Sequence, residues 1–298
     1  MDNLLFDKGK DYSLENPCPD SLLVIPCDKI GDYLPNALDT EADALLFDLE
    51  DSVSGERKND AREKLSEIRE KAFFSKDIYV RPNRIGTEEF EKDRDVIEEV
   101  MPDLLVFPKV ESANEIRNIE GFLDSLESET PYKVIIESIK GFENREKIFS
   151  QAENCLLVSL GYEDLSAKLG IKRPELDGNN PLNSMLVDTV ISTKKHNLQY
   201  MDAVSRKFKD DYLEEFKEEL RYGKKIGCWG KVLIHPNQVP PTKETYSREK
   251  EIEKAREKIR RFEEADSGVI TNEEGEMEDL PSLRRAERVL DIEQDSED

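Results

Sequence analysis

Histidine is nearly missing from this 298-residue chain, which has only His196 and His235. A multi-histidine metal centre is all but excluded, so any metal would be held by carboxylates, which favours Mg²⁺ or Mn²⁺. Cysteine is sparse: Cys18, Cys27, Cys155 and Cys228 are scattered with no CxxC spacing. That argues against both a zinc site and a disulfide framework. Basic residues are outnumbered, 44 Lys and Arg against 68 Asp and Glu, for a net charge of -24. A surface of that sign repels phosphate backbones and anionic membranes, so neither a nucleic acid nor a membrane is expected as partner. No apolar run reaches the length of a membrane span, and MDNLLFDKGKDY lacks the charged-then-apolar order of a signal peptide. A cytoplasmic protein is therefore expected.

What the chain does have is alternation. Short aliphatic runs recur between longer charged segments: SLLVIP, ALLFDLED, DIYVRP, LLVFPKVES, KVIIES, CLLVSLG, LQYMDAV and KVLIHP. They lack polar alternation, as expected of parallel strands covered on both faces. Residues 56–71, 87–100, 113–126, 142–152 and 210–225 carry Glu, Lys, Arg and Leu at helical spacing. Eight strands alternating with helices, and no Gly-rich phosphate loop after an early strand, favour a closed α/β barrel, a (β/α)₈ TIM barrel, over an open sheet. The expected organisation is an N-terminal extension over 1–20, the barrel over 21–245 and a C-terminal helical extension over 246–298. In the extension, a charged helix over 247–265 is followed by an irregular stretch, a helix starting near Pro281 and an acidic tail.

In such a barrel the chemistry gathers where the strands end, because the βα loops form one rim. Asp48, Glu50 and Asp51 end the second strand and Arg81 the third. Lys109 and Glu111 end the fourth, Glu137 the fifth, Glu163 and Asp164 follow the sixth, and His235 ends the eighth. Each has a structural reading. Asp51 with Ser52, or Asp164, could cap a helix; Glu137 could accept backbone bonds near Gly141; Arg81 could pair with a strand-end acid; His235 could be structural. Together, several acids on one rim repel unless a cation neutralises them. Mg²⁺ held by one or two carboxylates resolves that conflict, and Arg81 offers a planar fork to a substrate carboxylate.

The segments SLLVIP, ALLFDLEDSV, YVRPN, VFPKVES, VIIESIKG, GYEDLSAKLGI, GKVLIHPNQ and MEDLPSLRRAERVL follow one another from Ser21 to Leu290. In this order they resemble the HpcH/HpaI aldolase and citrate lyase family, in its citrate lyase beta chain and malyl-CoA or citramalyl-CoA lyase branch. The resemblance implies a Mg²⁺-dependent barrel, a homotrimer or homohexamer, with Glu137 and Asp164 as metal ligands. It implies that the metal chelates an α-keto acid, that Arg81 binds developing negative charge, and that Asp48 and Glu50 hold Arg81. Asp279 matches an acid/base aspartate that a neighbouring subunit can deliver. The implied partners are a small acyl-CoA or acyl thioester and an α-keto acid, and the implied reaction is carbon–carbon cleavage or formation. A malyl-CoA thioesterase, a citrate lyase beta subunit acting on an acyl-carrier thioester and a non-catalytic barrel are the alternatives. The chain departs from the family pattern at Cys27, at Pro82, in NPLNSMLVDT and over 201–222, which leaves the acyl group and keto acid open.

Overall fold

The computed structural model describes residues 18–68, 76–126, 130–174, 179–265, 268–271 and 275–294. The expected barrel is there. Strands β1 (Ser21–Pro26), β2 (Ala44–Asp48), β3 (Asp77–Arg81), β4 (Leu104–Phe107), β5 (Tyr132–Ile136), β6 (Cys155–Leu160), β7 (Gln199–Asp202) and β8 (Gly230–Leu233) pair in chain order. All are parallel, and β8 returns to pair with β1, which closes the sheet. The strands β2, β4, β5 and β8 are buried along their whole length. Side chains alternate between the barrel interior and the surrounding helices, so an unbroken aliphatic run is what this position requires.

Around the sheet lie α1 (Ile30–Leu38), α2 (Lys58–Ser66), α3 (Glu88–Val100), α4 (Ala113–Ser125), α5 (Ile139–Phe149), α6 (Tyr162–Lys168), α7 (Pro181–Lys195), α8 (Leu213–Ile226) and α9 (Val239–Tyr246). Four of them start on a capping side chain: Thr87, Ser112, Ser138 and Asn180 each accept a backbone N–H three residues on. Each such cap stabilises its helix by about 1 kcal/mol. The charged, helix-spaced segments mark α2, α3, α4, α5 and α8. They do not mark α1, α6, α7 or α9; α6, of 7 residues, is too short to show a helical period. Pro35 lies inside α1, and α9 contains Pro240 and Pro241. In α7 the buried face is partly polar, with Asn183, Thr189, Ser192 and Thr193 turned inward, so the apolar stripe that betrays a helix is diluted.

From Ser247 the chain forms a second compact unit. It contains α10 (Arg248–Ala265), β9 (Val269–Thr271), β10 (Met277–Asp279) and α11 (Leu280–Gln294). The stretch expected to be irregular is thus a small antiparallel hairpin, with Asp279 opposite Val269. Three-residue strands carry too few alternating positions for a strand signal in the sequence. Residues 1–17, within the expected extension over 1–20, lie outside the described residues. No helix among the described residues is long and apolar enough to cross a membrane.

Candidate active site

Register decides the first contact of the site. The last residue of β2, Asp48, lies directly opposite the last residue of β3, Arg81. Arg81 Nε donates to Asp48 Oδ1 at 2.7 Å and its Nη2 to Oδ2 at 2.6 Å, the two-point fork that arginine is shaped for. Asp48 also accepts the backbone N–H groups of Glu50 and Ser52. Burial works against both ionised groups, but the pairing outweighs it: the pKa of Asp48 is lowered and that of Arg81 raised, the latter also by Glu50 and Glu137. Glu50 comes within 3.8 Å of Arg81 from the other side.

Behind Arg81, Lys109 adopts a left-handed backbone (φ 56°). Its ammonium bonds to Glu50 and, at 2.8 Å, to Asp51. Lys58 ties down the same loop by donating to the carbonyls of Leu49 and Glu50 and to Asn83 Oδ1. Asp51 and Ser52 therefore do not cap a helix. The next helical turn starts after Ser54 with no side-chain cap, Asp51 faces Lys109, and the Ser52 N–H points at Asp48.

Glu137 follows β5, and the structural alternative for it, accepting a backbone bond near Gly141, is taken by Ser138, whose hydroxyl accepts the Gly141 N–H at 3.1 Å. Glu137 is left without that duty. It is 7% exposed, and its Oε2 has no hydrogen-bond partner among the described residues. Burial first, then the charges of Glu50 and Asp164, push its pKa up to about 8 against the pull of Arg81. Asp164 sits in the first turn of α6, whose cap position is Gly161. Oxygen atoms of Asp51, Glu137 and Asp164 lie within 4.8 Å of one another. A buried carboxyl with an idle oxygen beside two further acids suits an oxygen-preferring divalent cation.

Gly161 is part of that arrangement through size. A Cβ there would stand 2.6 Å from Glu137 Cγ and 2.9 Å from its Oε1, distances that force Glu137 to move. Gly161→Ala should therefore weaken divalent-cation binding by at least about tenfold, while overpacking costs only about 1–3 kcal/mol of stability. Calorimetric titration with Mg²⁺ alongside a thermal melt checks both; unchanged affinity would show that Glu137 has room to spare.

These groups open into a cavity of about 400 Å³. Asp48, Asp51, Arg81, Glu137, Glu163 and Asp164 line its rim, and Val24, Leu46, Ile135 and Val232 its apolar wall. Not every strand-end residue converges there. Glu50 and Lys109 pair with each other outside the cavity lining, and Glu111 is engaged by Arg84 at 3.3 Å. His235 accepts the Asn237 N–H, completes a capping box with Gln238 and stacks on Phe208 at 5.1 Å. Its role is structural. Asp51, expected on the rim with a helix cap as its structural alternative, stands beside Glu137 and Asp164. Two basic lining residues, Arg173 and Lys133, carry no role in the sequence reading. Arg173 reaches in from beyond α6, held by Glu163 and the Val204 carbonyl. Lys133, inside β5, carried one signal: a lysine in an otherwise apolar strand.

Asp279 belongs to the second unit. Its Oδ1 accepts the Ser282 N–H at 3.3 Å and its carbonyl accepts the Ser282 hydroxyl at 2.9 Å, so it caps the start of α11.

Fold and site together define a parallel eight-stranded barrel whose functional groups, acids around one arginine fork, stand at the C-terminal ends of the strands. The chain belongs to the HpcH/HpaI aldolase/citrate lyase family, whose model matches residues 31–236. It is 31% identical over 249 residues to a (3S)-malyl-CoA thioesterase of Cereibacter sphaeroides, covering 83% of this chain and 84% of the relative. It is 30% identical over 263 residues to the citrate lyase subunit beta of Leuconostoc mesenteroides subsp. cremoris, covering 84% and 85%. Among solved structures, protein CitE of Mycobacterium tuberculosis in complex with magnesium, acetoacetate and coenzyme A superposes with a TM-score of 0.73 at 24% identity. That match covers 93% of this chain and 98% of the other.

Proposed function

We propose that the protein is a Mg²⁺-dependent carbon–carbon lyase that cleaves, or in reverse forms, a 3-hydroxyacyl-CoA such as malyl-, citramalyl- or citryl-CoA. The products are an α-keto acid and a shorter acyl-CoA. The observation that carries this reading is the meeting of Asp51, Glu137 and Asp164 within 4.8 Å, with the idle buried oxygen of Glu137, in the cavity that Arg81 enters. Glu137 and Asp164 would hold the ion, Mg²⁺ or in its place Mn²⁺, and Asp51 stands close enough to join them. Bound there, the ion would supply Lewis-acid stabilisation of negative charge on the substrate oxygen.

The chain's own residues do the rest. Arg81, aligned by Asp48 and Glu50, clamps the same developing charge in the cavity. As the hydroxyl proton passes to solvent water, the adjacent C–C bond breaks and its electron pair passes into the thioester enolate. The former alcohol carbon becomes the keto-acid carbonyl. Asp279, from a neighbouring subunit of a homotrimer or homohexamer in the cytoplasm, protonates the enolate carbon; in the condensing direction it removes that proton.

The test is a product assay with Mg²⁺ on malyl-, citramalyl-, methylmalyl- and citryl-CoA. A keto acid appearing with a shorter acyl-CoA, suppressed by EDTA, supports the lyase. Free CoA without a shorter acyl-CoA would support hydrolysis instead, the reading favoured by the 31% identity to the malyl-CoA thioesterase. Turnover only with an acyl-carrier thioester would favour a citrate lyase beta role, and inertness with every thioester a non-catalytic barrel.

The proton on Glu137 provides a second check. Its folded pKa is raised to about 8, so below that pH the acid is mostly protonated and a cation must displace the proton. Mg²⁺ affinity should rise with pH, by up to about tenfold per unit below pH 8, and level off above it. Calorimetry in buffers of different ionisation enthalpy should register close to one proton released at pH 7. A pH-independent affinity with no proton release would remove Glu137 from the ligand set.

A further inference from the structure

Two lysines are completely buried in the barrel wall, and they differ in one respect. Lys231 on β8 is 0% exposed and fully matched, with Asp202 at 2.6 Å and Glu219 at 2.9 Å. This is how the fold compensates a lysine that it buries for structure. Lys133 on β5 is 1% exposed, yet its ammonium has no hydrogen bond or ion pair among the described residues. It also faces a different space. Lys133, Ile135 and Glu137 alternate along β5 and all line the cavity, which Lys231 does not. Asp202 and Glu137 act on Lys133 only through space, while burial and the nearby Arg81 oppose its charge and bring its pKa down to about 7.

An unmatched buried ammonium is costly, and truncating it to an apolar residue would relieve the cost. Its position in the cavity wall offers another compensation, a ligand that brings the missing negative charge. Arg81 cannot be what such a group pairs with first, since Asp48 already occupies its fork. Lys133 lies four residues below Glu137, about 13 Å along the strand at about 3.3 Å per residue. A long side chain leaning along the strand spans much of that gap. A keto acid held at the rim by one carboxylate would point its far end into this depth.

We infer that Lys133 forms a deep anion subsite, selecting a substrate whose keto-acid half carries a second carboxylate over one that ends in hydrogen or methyl. This rests on the proposed reading of the rim as the keto-acid site, and it makes Lys133 a specificity-determining residue.

The experiment is calorimetric titration of the whole protein with oxaloacetate and with pyruvate, each with Mg²⁺, on the wild type, Lys133→Met and Lys133→Gln. Wild type should bind oxaloacetate at least tenfold more tightly than pyruvate. Both variants should lose that preference, keep or improve pyruvate binding and melt no lower than wild type. Equal wild-type affinities, or variants that weaken both acids alike, overturn the inference and leave the rim reading standing. Failure of wild type to bind either acid removes the rim reading and this inference together. If neither variant folds, the wild-type preference decides alone. Trapping of an imine at Lys133 by borohydride with either acid would make it a nucleophile and overturn the anion subsite.

Discussion

Glu137→Gln and Asp164→Asn should each lower Mg²⁺-dependent turnover by at least roughly a thousandfold, about 4 kcal/mol of transition-state stabilisation. Neither should unfold the protein. Glu137 makes no cap, since Ser138 has that role, and its Oε2 has no partner to lose. Asp164 lies in the first turn of α6, past its cap position Gly161. Glutamine and asparagine keep the shape and remove the charge that would hold a cation, so the loss should appear in metal titration as well as in kcat. Thermal melts should stay close to wild type without metal, and the upward shift on adding Mg²⁺ should vanish. Retained Mg²⁺-dependent activity in both variants would sink the ligand assignment.

Asp279→Asn is expected to separate binding from chemistry. Mg²⁺ affinity should be unchanged, because the acids grouped as a candidate cation site are Asp51, Glu137 and Asp164. Turnover should fall by roughly 10²–10⁴-fold, the usual contribution of a positioned general acid or base. Asparagine is the informative replacement. It still accepts the Ser282 N–H that Asp279 now accepts, so α11 keeps its cap while the titrating group is gone. If a neighbouring subunit delivers Asp279, mixing Asp279→Asn with Glu137→Gln should restore activity, since some hybrid sites combine the intact half of each. Two inactive parents giving an active mixture would establish the shared site. Normal turnover in Asp279→Asn alone would remove the residue from the mechanism.

How far the sequence could be read varied from residue to residue. The eight strands were legible because parallel strands, buried on both faces, leave apolar runs without polar alternation, such as ALLF in β2 and VII in β5. Helices with charged outer faces were legible by spacing. Those with a polar inward face, as in α7, or with internal proline, as in α1 and α9, were not. The hairpin of β9 and β10 was missed because three residues are too few to show a period. At the site, the positions of Asp48, Arg81, Glu137 and Asp164 could be placed near one another, since each closes or follows a strand and all strands point the same way.

Chain order and the direction of the strands are properties of a linear pattern, and for this protein they were enough to indicate the barrel, the rim and its acidic character. Which rim residues touch is set by register and side-chain direction, and those exist only once the sheet closes. Register put Asp48 opposite Arg81 and so occupied the arginine fork. A left-handed backbone at Lys109 turned that lysine onto Glu50 and Asp51. The absence of a Cβ at Gly161 let Glu137 lie where an alanine would stand. Lys133 and Lys231 are the same residue type, each in a short strand, and nothing local separates them. Only the tertiary structure gave Lys231 two carboxylates and left Lys133 facing a cavity, because burial and partnership are set by what the rest of the chain brings to each position.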